Sequence, residues 1–284
     1  MKPAPFDYRS PDTLAEAMAL LASHAGEAKL LAGGQSLMPV LNFRLATPSL
    51  LVDLGRVPDL DGIAIGEDGV RIGAMVRWRA IERDPRLAAA HPLLKEAVSH
   101  VAHYQIRNRG TAGGSLAHAD PAAELPGIAV ACDGEIAIVG PKGARTVKAA
   151  DFFIGPLATV LAEDEIITAL ALPPWPKERR WAFLEFARRR GDFAMAGIAL
   201  FYDRDGGHAR NAHVGVIGAA SRPHRLGKAE ARINGSTLDD AAILAAARAA
   251  AAEVDPPEDF HASAAYRRNL VEVLTERALR RAGA

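Results

Sequence analysis

Two short segments of the sequence place adjacent glycines next to hydroxyl side chains. Residues 32–36 read AGGQS, and residues 109–115 read RGTAGGS. Because glycine has no Cβ atom to cover its backbone N–H, an anion can approach such a segment closely. Two segments of this kind suit a ligand with two phosphates, held by backbone and hydroxyl donors rather than by lysine. Each Gly-Gly pair also fits an ordinary tight turn, and that alternative stays open from the residues alone.

Other kinds of chemistry lack the spacing that they need. No Gly-x-Gly-x-x-Gly follows a strand, no Gly-x-x-x-x-Gly-Lys-Ser/Thr occurs, and residues 34–38 lack the last glycine of a nucleophile elbow. We therefore predict no Rossmann, P-loop or α/β-hydrolase site, and no catalytic acid–base pair. His100 and His103 have no cysteine or carboxylate at ligand spacing, so no metal site is predicted. With Cys132 as the single cysteine, the chain cannot hold an Fe–S cluster by itself.

The composition is that of a globular protein with balanced charge. The 284 residues include 34 Lys plus Arg and 34 Asp plus Glu, so no overall field attracts nucleic acid or an anionic membrane. No apolar run has the length of a membrane helix, and the first residues lack the apolar core of a signal peptide. We expect a cytoplasmic protein.

The elements that must position the two segments can be read from periodicity and turn signals. Residues 12–24 predict a helix, residues 29–32 and 50–54 predict strands, and together they indicate a small parallel βαβ unit. A hairpin is expected at 62–73, helices at 77–90, 92–102 and 122–131, and strands at 134–139 and 144–148. The second glycine segment is expected to be a loop at 110–115.

A proline-rich stretch at residues 173–176 predicts a domain boundary, because proline neither donates to a sheet nor continues a helix. An antiparallel meander at 181–190, 194–204 and 208–218 is expected beyond it, then helices at 238–253 and 263–282. The predicted class is α+β: residues 1–56 and 57–176 form two subdomains, each with one glycine segment, and residues 177–284 form a domain of antiparallel sheet and helices.

The two glycine segments and three further stretches carry a resemblance to a known family. The chain resembles, over essentially its whole length, the FAD-binding medium subunit of molybdenum hydroxylases of the carbon monoxide dehydrogenase and xanthine dehydrogenase kind. The resemblance depends on residues 29–37 (KLLAGGQSL), 111–121 (TAGGSLAHADP) and 187–194 (ARRRGDFA), and on the closing Tyr266-Arg267 and Arg277-Ala278-Leu279.

This resemblance implies FAD as the cofactor and assigns residues to it. Both glycine segments would wrap the diphosphate and ribityl chain, Lys29 would lie by the adenine end, Glu124 near the ribityl or adenosine hydroxyls, and Leu161 and Phe193 against the flavin system. The implied cofactor-binding residues are Lys29, Ala32, Gly33, Gly34, Gln35, Ser36, Thr111, Gly113, Gly114, Ser115, Asp120, Glu124, Leu161 and Phe193. Two positions depart from the family: Ser115 replaces a frequent asparagine, and Glu185 stands where some relatives carry a lysine near the isoalloxazine.

The resemblance further implies an oxidoreductase that works with other chains. A small 2Fe–2S subunit and a large molybdopterin–molybdenum subunit would deliver electrons to the FAD, which passes them to an external acceptor, in a dimer of heterotrimers. Two alternatives remain from the residues: a self-contained flavoprotein oxidase or reductase, and a non-catalytic nucleotide-binding assembly module.

Overall fold

The N-terminal unit of the computed structural model, which describes residues 1–24 and 26–284, is a small parallel sheet. Its order is β1-β3-β2, and both outer strands run parallel to β3. The elements are β1 (Asp7–Arg9), α1 (Leu14–Ser23), β2 (Ala28–Leu31), α2 (Leu37–Asn42) and β3 (Leu50–Asp53). The predicted parallel unit is confirmed, with β1 as an additional strand. Helix α1 begins later than residue 12, because the Thr13 side chain is the cap and accepts from the Glu16 N–H at 3.1 Å.

The middle part contains a five-stranded antiparallel sheet with helices on it. The sheet order is β4-β5-β10-β6-β7, and β8 pairs with β9 beside it. After a short 3-10 helix (Leu54–Arg56) come β4 (Ile63–Gly66), β5 (Gly69–Gly73), α3 (Trp78–Arg83), α4 (Leu87–Ala90), α5 (Pro92–His100), α6 (Tyr104–Arg107), α7 (Ala112–His118), α8 (Glu124–Ala131), β6 (Glu135–Gly140), β7 (Gly143–Lys148), α9 (Ala149–Phe152), β8 (Phe153–Gly155), β9 (Ala158–Thr159) and β10 (Ile166–Leu172).

Three sequence expectations differ from this part of the structure. The helix predicted at 77–90 is broken into α3 and α4, because Pro85 interrupts it and the Asp84 carboxylate accepts from the Arg86 N–H at 2.9 Å instead. Strand β10, the centre of the sheet, was not predicted. The segment expected as a loop at 110–115 is the start of helix α7, with Thr111 as its cap.

The C-terminal part is an antiparallel sheet covered by helices, as predicted. Its order is β11-β12-β13-β14, followed by three helices. The elements are β11 (Arg180–Phe186), β12 (Ala196–Asp205), β13 (His208–Ile217), β14 (His224–Arg225), α10 (Gly227–Ile233), α11 (Asp240–Glu253) and α12 (Ala264–Gly283). Among the described residues, no helix is both long and apolar enough to cross a membrane.

The C-terminal sheet contributes to two hydrophobic cores. Ala199 and Phe201 of β12 belong to the core of the middle part, whereas Ile198, Leu200 and Tyr202 belong to the core under α10, α11 and α12. These side chains alternate between the two cores because successive residues of a strand point to opposite faces of the sheet. A third, smaller core lies under the N-terminal sheet and includes Ile166 of β10. The predicted α+β class is therefore confirmed, while the predicted domain limits remain a prediction.

Candidate functional site

The first glycine segment leaves β2 and presents a row of backbone donors. Among the described residues, no protein acceptor lies within hydrogen-bond geometry of the N–H groups of Gly33, Gly34, Gln35 and Ser36. The Gln35 side chain donates to the Gly33 carbonyl at 2.9 Å, and this hydrogen bond stabilises the turn. Gly34 has φ +72°, a left-handed conformation that favours glycine. The segment is thus a fixed arc of four half-buried amides without partners.

The second glycine segment lies directly against the first. A Cβ atom at Gly33 would fall 2.7 Å from the Cα of Gly110 and closer still to the Arg109 carbonyl oxygen. A Cβ atom at Gly114 would lie 3.6 Å from that of Ala32. The two segments predicted to act together are therefore neighbours in the fold.

The second segment differs from the first in how its amides are used. The N–H of Ala112 donates to the Val76 carbonyl at 2.9 Å, and that of Gly113 to the Ala74 carbonyl at 2.8 Å. The N–H groups of Gly114 and Ser115 donate to the Thr111 hydroxyl and carbonyl, at 3.2 and 3.1 Å. The sequence suggested free amides here as well, but α7 and its packing on β5 take them up. The diglycine serves close packing, since a Cβ atom at Gly113 would lie 2.6 Å from that of Ala74.

A cleft of about 410 Å³ opens at the first segment. Its lining comes from β2, the first segment, α2 and the end of α6: Leu31, Gly33, Gly34, Gln35, Met38, Pro39, Ile106 and Arg109. Arg109 is exposed and forms no ion pair with the described residues. Arg109 therefore brings a positive charge to the lining of the cleft.

Three predicted site residues precede or follow the glycine segments in the sequence. Lys29 is exposed on β2, on the strand that leads into the first segment. Asp120 follows α7 and accepts from the Ala122 N–H at 2.9 Å. Glu124 is the first residue of α8 and is only 9% exposed. Helix α7 therefore leads from the glycine segments to the two acids.

Glu124 is held in an environment that disfavours its charge. Burial raises the pKa of Glu124 to about 8, and the nearby acids Glu185 and Asp120 add to this rise. The hydrogen bond to its own backbone acts in the opposite direction but is the smaller effect. Glu124 is therefore mainly a neutral carboxylic acid at pH 7, and it can donate a hydrogen bond as well as accept one.

The last two predicted residues occupy separate loops. Leu161 is half-buried after β9 and packs against the middle core. Phe193 is 70% exposed in the loop between β11 and β12. That loop leans on the middle part at Gly191, where a Cβ atom would lie 2.7 Å from the Ala102 carbonyl oxygen. Among the described residues, neither Leu161 nor Phe193 forms a hydrogen bond with the glycine segments.

Sequence reasoning missed several cleft residues. Ile106 lies before the second segment, Arg109 is the first residue of that segment but was not assigned to the cofactor, and Leu31 and Met38 flank the first segment. The only feature of the sequence that points to these residues is that they lie close to the glycines along the chain. What places them in the cleft is the contact between the two segments, which periodicity does not reveal.

The residues present fit a dinucleotide cofactor. Four amide N–H groups with no partner among the described residues can donate to phosphate oxygens, Arg109 brings a cationic side chain, and the half-buried apolar side chains Leu31, Met38 and Ile106 offer a surface for a planar group. These features suit an anionic ligand with an apolar portion.

Comparisons with known proteins agree with this fit. Residues 4–175 match the family described as "FAD binding domain in molybdopterin dehydrogenase", and residues 181–282 match the "CO dehydrogenase flavoprotein C-terminal domain". The chain is 41% identical over 284 residues to the nicotine 6-hydroxylase medium subunit of Paenarthrobacter nicotinovorans, covering 100% of this chain and 99% of that protein. It is 36% identical to the carbon monoxide dehydrogenase medium chain of Hydrogenophaga pseudoflava, again covering 100% and 99%.

A solved structure extends the agreement to the fold. A chain of carbon monoxide dehydrogenase from Hydrogenophaga pseudoflava superposes with a TM-score of 0.97 at 37% identity, covering 100% of this chain and 99% of that one. Such full-length matches to medium subunits do not favour a self-contained flavoenzyme or a non-catalytic module. The chain belongs to the FAD-binding medium subunits of the molybdenum hydroxylases, and it is an oxidoreductase subunit.

Proposed function

We propose that this chain binds the FAD diphosphate at residues 33–36 and relays electrons between partner subunits and an external acceptor. The observation that carries the proposal is the arc of four unpartnered amides beside the 410 Å³ cleft. Four charge-assisted hydrogen bonds, at about 1.5–3 kcal/mol each, can hold a diphosphate without a lysine. Arg109 adds a charge contact at the entrance.

The remaining predicted residues have supporting roles in this proposal. Thr111, Gly113, Gly114 and Ser115 form the start of α7, which meets the first segment at Gly114, and the Ser115 hydroxyl has no hydrogen-bond partner among the described residues. Lys29 serves the adenosine end. Asp120, Glu124, Leu161 and Phe193 serve the ribityl and flavin end, as in the family that the chain resembles.

The bound cofactor would supply the redox chemistry, because a flavin accepts electrons singly and releases them in pairs. This chain binds and orients it and limits the access of water to it. Electrons would come from a small 2Fe–2S subunit, which receives them from a large molybdopterin–molybdenum subunit. A dimer of heterotrimers, an external acceptor and a cytoplasmic location complete the proposal. Light scattering and metal analysis of the native complex test the assembly.

Substitution at Ser36 tests the diphosphate site without disturbing the fold. Ser36 is the N-cap of α2, a position where aspartate and asparagine are both favoured. We expect Ser36→Asp to weaken FAD binding about tenfold or more through repulsion of the phosphates. The matched Ser36→Asn variant adds no charge and should bind FAD within a few-fold of the unaltered chain.

FAD titration of the purified full chain, followed by flavin fluorescence, measures both affinities, and thermal unfolding confirms that both variants fold. Equal affinity in the aspartate and asparagine variants would place the diphosphate away from residues 33–36. Failure of the unaltered chain to bind FAD would refute the proposal as a whole.

A further inference from the structure

Arginine side chains are concentrated on one surface beside the cleft. Three segments form this surface: residues 77–83, which include α3, residues 101–109, which include α6, and residues 186–195, which connect β11 to β12. Together they contain eight arginines, two acids and no lysine, in a chain whose formal net charge is zero. We call the surface of these three segments the arginine patch.

The first two segments of the patch are joined by side-chain contacts. The Arg79 guanidinium lies over the Tyr104 ring, 4.7 Å from its centre. Glu82, the acid of the first segment, lies 3.1 Å from Arg79 and 3.5 Å from Arg107. Two cations of the patch therefore already neutralise this acid.

The third segment lies against the second, and the second reaches the cofactor cleft. A Cβ atom at Gly191 would fall 2.7 Å from the Ala102 carbonyl oxygen and 3.2 Å from the His103 Nδ1. Ile106 and Arg109 of the second segment belong to the lining of the cleft. A partner seated on the arginine patch would therefore stand at the edge of the cleft.

Most arginines of the patch have no anionic partner within the chain. Arg77, Arg83, Arg109 and the three arginines at 188–190 are exposed, and their side chains form no ion pair or hydrogen bond with the described residues. Apart from Glu82, Asp192 is the one acid of the patch. Because like charges repel each other, an anionic partner would be attracted to this surface.

The composition of the patch favours a protein as that partner. Protein interfaces are rich in arginine and aromatic residues and poor in lysine. Tyr104 is 51% exposed and Phe193 is 70% exposed, so both offer apolar area between the guanidinium groups. A guanidinium binds a carboxylate through two parallel hydrogen bonds. The patch thus fits a protein surface that is rich in aspartate and glutamate.

The charge of the patch also indicates how long the partner stays. Permanent interfaces are large and apolar, whereas short-lived redox encounters are small and are guided by opposite charges. An external electron acceptor must arrive and leave in every turnover, while a subunit that supplies electrons stays in the complex. The patch therefore suits the acceptor better than a permanent subunit.

We propose that the arginine patch docks an acidic one-electron carrier protein, which takes electrons from the flavin. This inference rests on the proposed FAD function and gives the chemical class of its external acceptor. The carboxylates of the carrier pair with Arg77, Arg83 and the arginines at 188–190. Two carrier molecules in turn each accept one electron, and the two protons that the fully reduced flavin releases pass to water.

Binding of a haem protein to the full chain without FAD tests the docking surface. The probes are the soluble haem domain of cytochrome b5, which is acidic, and cytochrome c, which is basic. We expect cytochrome b5 to bind at low salt and cytochrome c not to bind. The Kd for cytochrome b5 should rise about tenfold or more as salt increases from about 50 to about 300 mM. Lack of binding by cytochrome b5 at low salt, or equal binding of both probes, would overturn the proposal.

Charge removal locates the docking surface on the chain. Replacing the three arginines at 188–190 by glutamine should raise the Kd for cytochrome b5 about tenfold or more. The control replaces Arg232, Arg248 and Arg277 by glutamine, because these exposed arginines lie on α10, α11 and α12, away from the middle part. Its Kd should stay within a few-fold of the unaltered chain, and equal weakening in both variants would refute the assignment.

Thermal unfolding shows whether these variants fold. If the variant at 188–190 does not fold, Arg77→Gln combined with Arg83→Gln takes its place, since these two residues are exposed in a different segment of the patch. We expect this pair to raise the Kd for cytochrome b5 several-fold, and an unchanged Kd would count against the patch.

Electron transfer separates the docking surface from the proposed FAD function. The full chain is loaded with FAD, the FAD is reduced by light, and oxidised cytochrome b5 is mixed in while haem absorbance is followed. We expect the variant at 188–190 to retain FAD and to reduce cytochrome b5 about tenfold more slowly. An unchanged rate would refute the role of the patch. A chain that binds cytochrome b5 but not FAD would support docking and refute the FAD function.

Vesicles that contain phosphatidylserine test the other anionic surface that could meet the patch. We expect the full chain not to bind them more tightly than vesicles of phosphatidylcholine alone. Binding to the phosphatidylserine vesicles that the variant at 188–190 loses, without binding of cytochrome b5, would assign the patch to an anionic membrane and overturn the protein partner.

Discussion

Gly33 lies so close to Gly110 that a single methyl group between them would overlap the backbone, with 2.7 Å from the added Cβ to the Gly110 Cα. The contact holds the arc of amides in the first segment against the second. The glycine at position 33 thus serves protein packing as well as any approach of phosphate. This separates its role from that of Gly34, whose φ of +72° sets the turn itself.

Gly33→Ala should therefore loosen the joint between the two segments. We expect a loss of about 1–3 kcal/mol in the free energy of unfolding, as for overpacked sites, together with weaker FAD binding. Gly62→Ala is the control, because a Cβ atom there meets nothing within 4 Å. Urea unfolding and FAD titration measure the two effects. Unchanged stability in Gly33→Ala would show that the segments move apart freely.

Arg267→Met should destabilise the packing of α12 against the segments next to β12 and β13 within the C-terminal part. The Arg267 Nη1 donates to the Met195 and Gly218 carbonyls at 2.7 and 2.9 Å, and its Nη2 contacts Asp259 at 2.8 Å. Removal of one partner from a buried charged network costs about 3–5 kcal/mol. Arg277→Met, on the exposed face of the same helix, should change the free energy of unfolding by less than about 0.5 kcal/mol. Equal losses in the two variants would contradict this assignment.

Glu124→Gln should change how stability depends on pH. The pKa of Glu124 is about 8 in the folded chain against an ordinary value of 4.5, so the folded state binds the extra proton between these values. The unaltered chain should lose up to about 1.4 kcal/mol per pH unit from this group as pH rises from 5 to 8. Glu124→Gln should not show this loss. Unfolding curves at pH 5, 6, 7 and 8, with Glu67→Gln as control, decide the matter, and parallel profiles would contradict it.

Arg179→Lys should destabilise the fold by weakening the contacts that Arg179 makes just after the proline-rich stretch. The Arg179 guanidinium lies over the rings of Trp175 and Phe201, at 5.0 and 4.3 Å, and donates twice to Asp203 at 2.8 and 3.0 Å. Lysine can replace neither the stacking nor the paired hydrogen bonds, so we expect the free energy of unfolding to fall by about 1–2 kcal/mol.

The control for Arg179→Lys is Arg210→Lys. Arg210 pairs with Asp205 at 3.1 Å, but both side chains are more than 60% exposed, at 67% and 63%. Such an exposed pair contributes about 0–1 kcal/mol to the free energy of unfolding. If thermal unfolding gave the same shift for both lysine variants, the stack on Trp175 and Phe201 would have no energetic role.

The sequence predicted much of this fold because its signals are local. The parallel N-terminal unit, the hairpin at 62–73 and the C-terminal meander follow from alternating apolar residues and turn glycines. Strand β10 was missed because it is the buried central strand, and Ile166–Leu172 reads as an apolar run that periodicity does not assign to strand or helix. The break at Pro85 could have been predicted from proline alone.

The candidate site was predictable only in part, for a similar reason. Diglycine segments stand out in a sequence, but their hydrogen-bond partners do not. Gly113 donates to Ala74, and Gly33 meets Gly110, through contacts between distant parts of the chain. Burial of Glu124 likewise depends on how α8 packs against α5, β12 and β13, which no local pattern shows.

The alternation along β12 has a consequence for chimeras between medium subunits. Ala199 and Phe201 complete one core, while Ile198, Leu200 and Tyr202 complete the other. A C-terminal part transplanted from a relative must therefore match its new neighbour through every second side chain of this strand. The intervening side chains travel with their own helices, so compatibility between two parents depends on this face of the sheet, to which Phe183 and Ile217 also contribute.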